Sequence, residues 1–562
     1  MVEFPPGLIL ILGALFIPLL RGNLRNAYML ALPIAGFWGL LSIPEGQHFV
    51  FTLFGYTLNP VRVDGLSLVF GYVFHIAAAV CVVYAFHVRD TMQQVSGLMY
   101  AGSAIGGVFA GDLISLFVYW EGTAIASVFL IWATRTETAY KAGMRYLIIQ
   151  VGSGVLLLGG IIILINDSGS IAFDKIEFKG LGPVLIFLAF GIKAAFPLLH
   201  NWMQDAYPQA TVTGTVFLSC FTTKLAIYAL ARGFPGTEML IWIGAVMAAF
   251  PIFYTVIEND LRRVLAYSLN SQLGIMTIGV GIGTELSLNG TAAHAFASVL
   301  YTALLLMSMG AVLDRTGTIK ASELGGLYRT MPWTTGFCIV GAASISAVPL
   351  LSGFISKSLI ISAAAQNTHW VVWIVLLFAS AGAIYSSGIR IPYAAFFQKD
   401  SGKRPEEAPK NMLLAMGMAA FLCVALGVFP SLLYDILPYQ VNYQPYTLTH
   451  VVTKFQLLFL SALAVGLLIR TGLYPDDRKS NNLDFDWTYR RLLPATIKAI
   501  GRVYVPVDRA IRDMFIHRVE RFIEGVFRHH GPEGALARSL PTGSTVLWVA
   551  VLLALYMIFY FV

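Results

Sequence analysis

Ionisable side chains interrupt apolar runs that are otherwise long enough to cross a bilayer. Glu121 lies in VYWEGTA, and Lys193, Lys224 and Lys357 each lie inside an apolar segment. A charge near the bilayer centre costs at least about 2.5–3.5 kcal/mol, so it usually marks an ion pathway. Lysine and glutamate carry protons when burial makes their charged and neutral forms similar in free energy. These residues predict a proton relay, in which protons move alone or in exchange for a small cation.

A histidine and two hydroxyl residues extend this pattern along one segment. His294, Ser298 and Thr302 are spaced four residues apart, which places them on one face of a helix. A polar face of this kind can hold water, so His294 is a candidate for the relay and the two hydroxyls form an accessory polar path. His75 is also in an apolar segment, where a lone histidine is typically a hydrogen-bonded packing residue. Arg390 and Lys454 lie near segment ends, which favours snorkelling to the membrane surface.

Prolines accompany two of the buried lysines. Pro197 follows Lys193 by four residues, and Pro349 precedes Lys357 by eight, with Gly353 between them. A proline inside a helix removes a backbone donor and breaks or kinks the helix. Broken helices at membrane depth occur where they line a cavity, often at matching positions of two inverted repeats. We therefore expect helix breaks at Pro197, Pro349 and Gly353.

The composition identifies the elements that must position these residues. Of 562 residues, 57% are hydrophobic and only 12% are charged, and the mean hydropathy is +0.73. Soluble domains are about 45–50% apolar and about 25% charged, so a soluble enzyme and a nucleic-acid-binding protein are excluded. The four cysteines are far apart and form no metal-binding spacing. We expect an all-α polytopic membrane protein with no metal and no cofactor.

The apolar runs predict about 16 transmembrane helices. Their approximate limits are 7–20, 27–44, 66–86, 95–110, 113–134, 143–166, 182–200, 214–233, 238–257, 263–284, 290–313, 334–363, 369–392, 411–437, 452–470 and 543–562. Glu3 stands where a signal peptide has basic residues, so the first run is interpreted as a span and not as a removable signal.

The distribution of basic residues predicts the orientation of these spans. Fifteen lysines and arginines lie in or beside the loops after odd-numbered spans, against four for the even-numbered spans. Cytoplasmic loops carry the excess of Lys and Arg. The N- and C-termini are therefore expected outside a bacterial-type plasma membrane.

The two predicted helix breaks divide the chain into repeats, because each falls in the fourth span of a block of five. The predicted divisions are 1–94 (helices 1–3), 95–233 (first five-helix repeat, helices 4–8), 238–392 (second, inverted repeat, helices 9–13), 411–470 (helices 14–15), 474–541 (a cytoplasmic amphipathic lateral segment) and 543–562 (the last helix). The lateral segment places Ile511, Phe515 and Phe522 at helical spacing among charged residues. It contacts either the membrane surface and its lipids or neighbouring subunits, and spacing alone does not separate the two.

Four ordered motifs within residues 60–400 resemble one family. GIKAAFPLLHNWMQDAYPQA resembles the seventh-span signature of the antiporter-like subunits of respiratory complex I, membrane-bound hydrogenases and Mrp-type Na+/H+ antiporters. LSCFTTKLAIYALAR resembles the eighth span, DLRRVLAYSLNSQLGIM the start of the tenth, and GLYRTMPWTTGF with AVPLLSGFISK the entry into the broken twelfth. The amphipathic tail is similar to the lateral helix of the largest such subunit.

The resemblance implies a role for each buried group. Glu121 matches the fifth-span glutamate that pairs with the seventh-span lysine, here Lys193. Lys224 matches the eighth-span lysine that leads to the centre, His294 the eleventh-span histidine, and Lys357 the twelfth-span lysine at the outlet. The expected partners are other membrane subunits of an Mrp-type or complex I-like assembly.

The chain departs from the family pattern in the eleventh span. Many members carry a second histidine and a lysine where this chain has Ser298 and Thr302. Three functions stay open: a proton or Na+/H+ translocating subunit, a membrane-arm pumping subunit of a redox-driven oxidoreductase or hydrogenase, and a structural subunit without transport. The chain itself carries no catalytic motif in any of the three.

Overall fold

The structure is a computed structural model that describes residues 5–53, 55–367, 370–471, 482, 484–532, 534 and 541–561. The chain divides into two compact units, Met1–Asn482 and Leu483–Val562. The α-helices of the first unit are α1 Pro6–Ala14, α2 Gly22–Leu41, α3 Gly65–Tyr84, α4 Thr91–Phe109, α5 Leu113–Trp132, α6 Glu137–Ser168, α7 Leu181–Lys193, α8 Asn201–Ala206, α9 Val212–Cys220, α10 Thr222–Gly233, α11 Glu238–Ile257, α12 Leu261–Ile282, α13 Glu285–Thr316, α14 Pro332–Ile345, α15 Ser352–Gln366, α16 Trp370–Ala383, α17 Lys410–Val428, α18 Ser431–Tyr434 and α19 Leu448–Arg470. The second unit holds α20 Leu493–His530 and α21 Thr542–Phe561.

Membrane-spanning character is clear from helix length and composition. In the described part of the chain, ten helices are long and apolar enough to cross a bilayer, with α9–α10 counted together and α16 extended to Phe397. Two shorter apolar helices cover Pro6–Leu19 and Leu181–Lys193. A bilayer core needs about 20 apolar residues per helix. The prediction of a polytopic, predominantly helical membrane protein is confirmed, whereas the number of sixteen spans stays a prediction.

Four short strands form two antiparallel pairs between α2 and α3. β1 (Gly46–His48) pairs with β4 (Val61–Val63), and β2 (Phe51–Leu53) pairs with β3 (Tyr56–Leu58). The stretch lies between the predicted spans 27–44 and 66–86, and strands of three residues give too short an alternating pattern to recognise in the sequence.

Two helix pairs are separated by breaks with the same backbone shape. Between α7 and α8, Ala195 and Leu198 have φ of 62° and 70°; between α14 and α15, Ala347 and Leu350 have φ of 56° and 71°. Each pair of left-handed residues encloses a proline at the third position, in AFPL and AVPL. Left-handed backbone is unfavourable for residues other than glycine, so the surrounding packing must hold it in place.

Gly353 has a different role from the expected break. It is the second residue of α15, after the chain has already resumed its helix. A Cβ at this position would overlap the carbonyl oxygen of Ser344 in α14. Gly353 therefore permits the close approach of the two half-helices, which its place in the sequence does not reveal.

Two further interruptions of the helices have no counterpart among the predicted breaks. Phe221, with φ −109° and ψ −67°, separates α9 from α10. α16 ends at Ala383, and the chain continues directly as a π-helix over Ile384–Arg390. Neither place has a proline within the break, so the usual sequence signal is missing.

Arg390 is buried within the protein and does not snorkel. Its side chain is 3% exposed and donates to the carbonyl oxygens of Thr255 and Glu258, at the end of α11. The last four carbonyls of a helix lack intrahelical partners, and a cation there is favourable. Arg390 thus satisfies acceptors that would otherwise be buried without a donor.

The Arg390→Met substitution is expected to destabilise the chain. Each buried acceptor left without a donor costs about 1–3 kcal/mol, so the midpoint of thermal unfolding in detergent should fall by several degrees. The matched control is Arg404→Met, which removes an exposed arginine paired with Asp400 and should shift the midpoint little. Equal midpoints for the two variants would contradict this structural role.

An ion-pair network joins the start of α3 to the end of α10. Asp64 accepts from Arg232 at 2.7 Å and from Arg62 at 3.1 Å, and Arg62 also pairs with Asp174 at 2.7 Å. Burial acts to raise the pKa of Asp64, but the two arginines outweigh it and lower the pKa to about 2. The carboxylate therefore stays charged at any physiological pH and anchors the far end of the helix that carries Lys224.

In the second unit, α20 is a 38-residue helix with no buried residue. Its apolar residues Ile511, Phe515 and Phe522 are 61%, 67% and 72% exposed. These residues belong to the predicted lateral segment; positions 474–481, 483, 533 and 535–540 of that segment lie outside the described residues.

Candidate proton-transfer site

Glu121 projects from α5 against a glycine of α6. A Cβ added at Gly154 would overlap Glu121 Oε1, so the absence of a side chain there makes room for the carboxylate. Oε1 has no hydrogen-bond partner among the described residues. A buried carboxylate oxygen without a hydrogen bond is costly, so a nearby cation stabilises it.

Lys193 is fully buried at the last position of α7, where the broken helix stops. Its Nζ donates to the carbonyl oxygen of Trp120 and, at 2.8 Å, to Thr123 Oγ1, and it lies 4.4 Å from the centre of the Trp120 ring. Both partners flank Glu121 on α5. Lys193 and Glu121 interact electrostatically without a direct hydrogen bond, so a small movement of the carboxylate can change their interaction.

Lys224 lies in the first turn of α10, directly after the break at Phe221. Its Nζ donates to the carbonyl oxygen of Ser219 at 2.7 Å. Carbonyls at a helix end lack intrahelical donors, and the break exposes this one to the lysine. The neighbouring Thr223 Oγ1 is buried with no partner in the described chain. Lys224 is thus fixed by the irregular backbone of its own span.

His294 lies between two of the lysines. Its Nδ1 is 3.0 Å from Ser356 Oγ, and its Nε2 is 3.4 Å from the Tyr301 hydroxyl. Both Lys224 and Lys357 interact electrostatically with the imidazole. Because either ring nitrogen can donate or accept, His294 can pass a proton between Lys224 and Lys357.

Lys357 repeats the arrangement of Lys224. Its Nζ donates at 2.7 Å to the carbonyl oxygen of Ile345, the last residue of α14. The break between α14 and α15 supplies the free carbonyl. The two lysines therefore use the same device, a broken helix that presents a backbone acceptor to a buried ammonium group.

Ser298 and Thr302 lie on the same face of α13 as His294 and are almost completely buried. Neither hydroxyl oxygen has a hydrogen-bond partner in the described part of the protein. Buried hydroxyls are normally paired, and water is the partner that fits such a site. The structure brings these two residues near the relay, although they carry no charge of their own.

The structure adds polar groups that the search for ionisable residues missed. The Ser127 hydroxyl lies 2.7 Å from the Tyr146 hydroxyl. The Tyr100 hydroxyl lies 2.7 Å from Thr222 Oγ1, and Thr222 is two residues before Lys224. Gln150, one turn before Gly154, is fully buried, and both its amide atoms lack partners within the described residues. A glutamine inside an apolar span was visible in the sequence, whereas the tyrosine and serine pairings depend on the tertiary fold.

The predicted relay residues fall into two clusters. Glu121 and Lys193 form the first cluster at the break after α7, and His294 and Lys357 form the second beside α15, where Lys224 also interacts electrostatically with His294. Among the described residues no three His, Cys, Asp or Glu side chains are grouped to hold a metal ion.

Comparison with known proteins identifies relatives of the central part of the chain. Residues 110–382 match the family model "NADH:quinone oxidoreductase/Mrp antiporter, TM". Hydrogenase-4 component B of Escherichia coli is 27% identical over 66% of this chain and 62% of its own length. A probable K(+)/H(+) antiporter protein of Rhizobium meliloti is 28% identical over 66% of this chain and 40% of its own length. The alignments thus span less than two thirds of these two relatives.

Solved structures share the fold. The Mrp complex from Dietzia superimposes with a TM-score of 0.76 and 21% identity, covering 99% of this chain and 62% of that chain. The archaeal membrane-bound sulfane sulfur reductase gives a TM-score of 0.72 and 21% identity, covering 98% and 99%. Together with the matching family model and the curated relatives, the family resemblance predicted from the sequence motifs is confirmed.

Proposed function

We propose that this chain is a proton or Na+/H+ translocating antiporter-like subunit of a multi-subunit membrane complex. The observation that carries the proposal is the position of Lys193, whose buried ammonium group is held by the two residues that flank Glu121. Glu121, Lys193, Lys224, His294 and Lys357 form the relay. The named functions of the relatives, a hydrogenase component and a cation/proton antiporter, support the same class of activity.

The geometry supports a charge-coupled relay. When the Glu121 carboxylate approaches Lys193, it favours the protonated lysine; when it withdraws or is neutralised, burial favours the neutral amine. The released proton passes toward Lys224. From there His294 and the unpaired hydroxyls of Ser298 and Thr302 provide a route toward Lys357. Hydroxyl groups and water relay protons without a lysine at position 302.

A redox-driven complex is the second candidate setting. The sulfane sulfur reductase, described as a respiratory membrane complex, matches this chain over nearly the whole length of both. In that setting the chain is a membrane-arm pumping subunit, and redox chemistry elsewhere supplies the driving force. The third candidate is a structural subunit without transport, which Thr302 motivates because many members carry a lysine there.

We further propose sixteen spans in the plasma membrane, with both termini outside and the lateral segment in the cytoplasm. Two inverted five-helix repeats cover 95–233 and 238–392. The support is the shared backbone of the AFPL and AVPL breaks, one in each proposed repeat. Neighbouring membrane subunits are the proposed partners, and the exposed apolar residues of α20 favour contact with such subunits or with lipid.

Cysteine labelling of sealed vesicles is expected to show the proposed orientation. A cysteine at Asp174 or Thr449 should react with an impermeant thiol reagent added outside, and one at Glu406 or Glu524 only after the membrane is opened. The reason is the concentration of basic residues in the loops assigned to the cytoplasm. The four native cysteines are buried and provide the unlabelled background. Labelling at position 406 from outside would contradict this topology.

Purification of the native complex tests the function itself. Co-purifying subunits identify its setting: small antiporter subunits indicate a secondary antiporter, and iron–sulfur or quinone-site subunits indicate a redox pump. Reconstituted into proteoliposomes, the complex should move protons when energised by its ion gradient or its redox substrate. An intact complex that turns over without ion movement would favour the structural alternative.

A further inference from the structure

A cavity of about 470 Å³ lies between α15, α16 and α19. Lys357 of α15 and Lys454 of α19 both line it, and the two side chains interact electrostatically. We refer to it as the lysine cavity. Lys454 therefore faces the interior of this gap, although its place in the sequence suggested snorkelling.

The lysine cavity has hydrogen-bond donors in excess. An ammonium group has three donors, and Lys357 uses one of them on the carbonyl oxygen of Ile345. Lys454 makes no hydrogen bond or ion pair with any described residue, and no aspartate or glutamate is among the lining residues. Ser380 adds a buried hydroxyl without a partner in the described chain. Two amine groups face one gap with no carboxylate in its described lining, so an acceptor-rich anion would stabilise their protonated forms.

Most of the remaining wall is apolar, although Tyr443, His450 and Gln456 also line it, and it borders a helix that the protein hardly covers. Phe354, Ile361, Leu377 and Leu457 line the cavity. Of the 23 residues of α19 only Val465 is buried, so most of this helix faces the surroundings of the unit. In a bilayer those surroundings include acyl chains. The cavity thus offers cationic groups for a headgroup and an apolar surface for a chain.

We propose that the lysine cavity binds an anionic membrane lipid, with the headgroup phosphate between Lys357 and Lys454 and an acyl chain along the apolar wall. The lipid supplies the counter-charge that the described lining of the cavity lacks. The proposal does not depend on ion transport, because lipid binding is measurable in a complex that transports nothing. The lipid phosphate would be a further interaction partner of Lys357, in addition to His294.

Native mass spectrometry of the purified complex tests the site, with dioleoyl phosphatidylglycerol and dioleoyl phosphatidylcholine as probes. Wild-type complex should retain one more phosphatidylglycerol molecule than the Lys454→Gln variant. The affinity of that variant for phosphatidylglycerol should fall about tenfold or more. Phosphatidylcholine should not take the place of the retained phosphatidylglycerol. Lys454→Arg should retain the lipid. The control is Arg470→Gln, which removes a charge from the same helix about 24 Å away and should leave retention unchanged.

A second measurement keeps the proposal testable if Lys454→Gln assembles poorly. In the Lys454→Cys variant, phosphatidylglycerol should slow modification by a thiol reagent, and phosphatidylcholine should not. Equal retention by wild type and Lys454→Gln would overturn the proposal, as would equal labelling with both lipids. Displacement of phosphatidylglycerol by millimolar inorganic phosphate would show a site for free anions and would likewise overturn the assignment to lipid.

Discussion

The Glu121→Gln substitution is expected to reduce ion transport by the assembled complex at least about tenfold, because a neutral amide cannot alternate between stabilising and releasing the Lys193 proton. The carboxylate has one oxygen without a hydrogen bond and lies beside the two residues that hold the lysine. Transport is measured in proteoliposomes that contain purified complex. Normal transport by an assembled Glu121→Gln complex would reduce the pair to a static structural interaction.

Companion variants separate a proton switch from a structural contact. Glu121→Asp keeps a carboxylate and should retain part of the activity. Lys193→Ala should resemble Glu121→Gln, and the double variant should be no worse than either single one, since residues that act as one unit are not additive. Additive losses would instead indicate two independent contributions.

The Gly154→Ala substitution is expected to reduce transport nearly as much as Glu121→Gln, although it adds only one methyl group and removes no charge. The new Cβ would occupy the position of Glu121 Oε1, so the carboxylate must move away from its present place. Overpacking of this kind costs about 1–3 kcal/mol, which a large helical unit tolerates. The measurement is again transport by reconstituted complex.

Gly152→Ala on the same helix provides the matched control. A Cβ at Gly152 meets no heavy atom within 4 Å, so this variant gains the same methyl group in open space. It should assemble and transport as the wild type does. If Gly154→Ala also transported normally, the position of the carboxylate would not matter for the relay.

The chemistry of the site could be predicted because charge in an apolar run is unmistakable. Glu121, Lys193, Lys224, His294 and Lys357 were identifiable from residue type alone. Beyond Ser298 and Thr302, which share a helix face with His294, the uncharged neighbours were not identifiable in this way. Thr123 and the backbone acceptors of the lysines carry no sequence signal, because a hydrogen bond to a carbonyl oxygen depends on where the helix ends and not on the residue that supplies the carbonyl.

The fold was predictable where a single helix decided it, and not where two helices meet. Apolar periodicity and proline placement locate the helices and the breaks near Pro197 and Pro349. The break at Phe221 and the roles of Gly154 and Gly353 depend on which helix packs opposite. Lys454 shows the same limit. Its position near the end of an apolar segment favoured snorkelling, but the helices that form the lysine cavity are brought together only by the fold.

The paired half-helices also bear on how the chain enters the membrane during synthesis. An α-helix rises 1.5 Å per residue, so the 13 residues of α7 reach about 20 Å and the 15 residues of α15 about 23 Å, short of the roughly 30 Å hydrocarbon core. Each half-helix also brings a lysine that the insertion machinery disfavours. Each broken segment is therefore expected to insert only with a helix that receives its lysine: α5 with Thr123 for α7, and its own other half α14 with the carbonyl of Ile345 for α15. The short half-helices and buried lysines that suit these segments to proton transfer thus make their insertion depend on the helices around them.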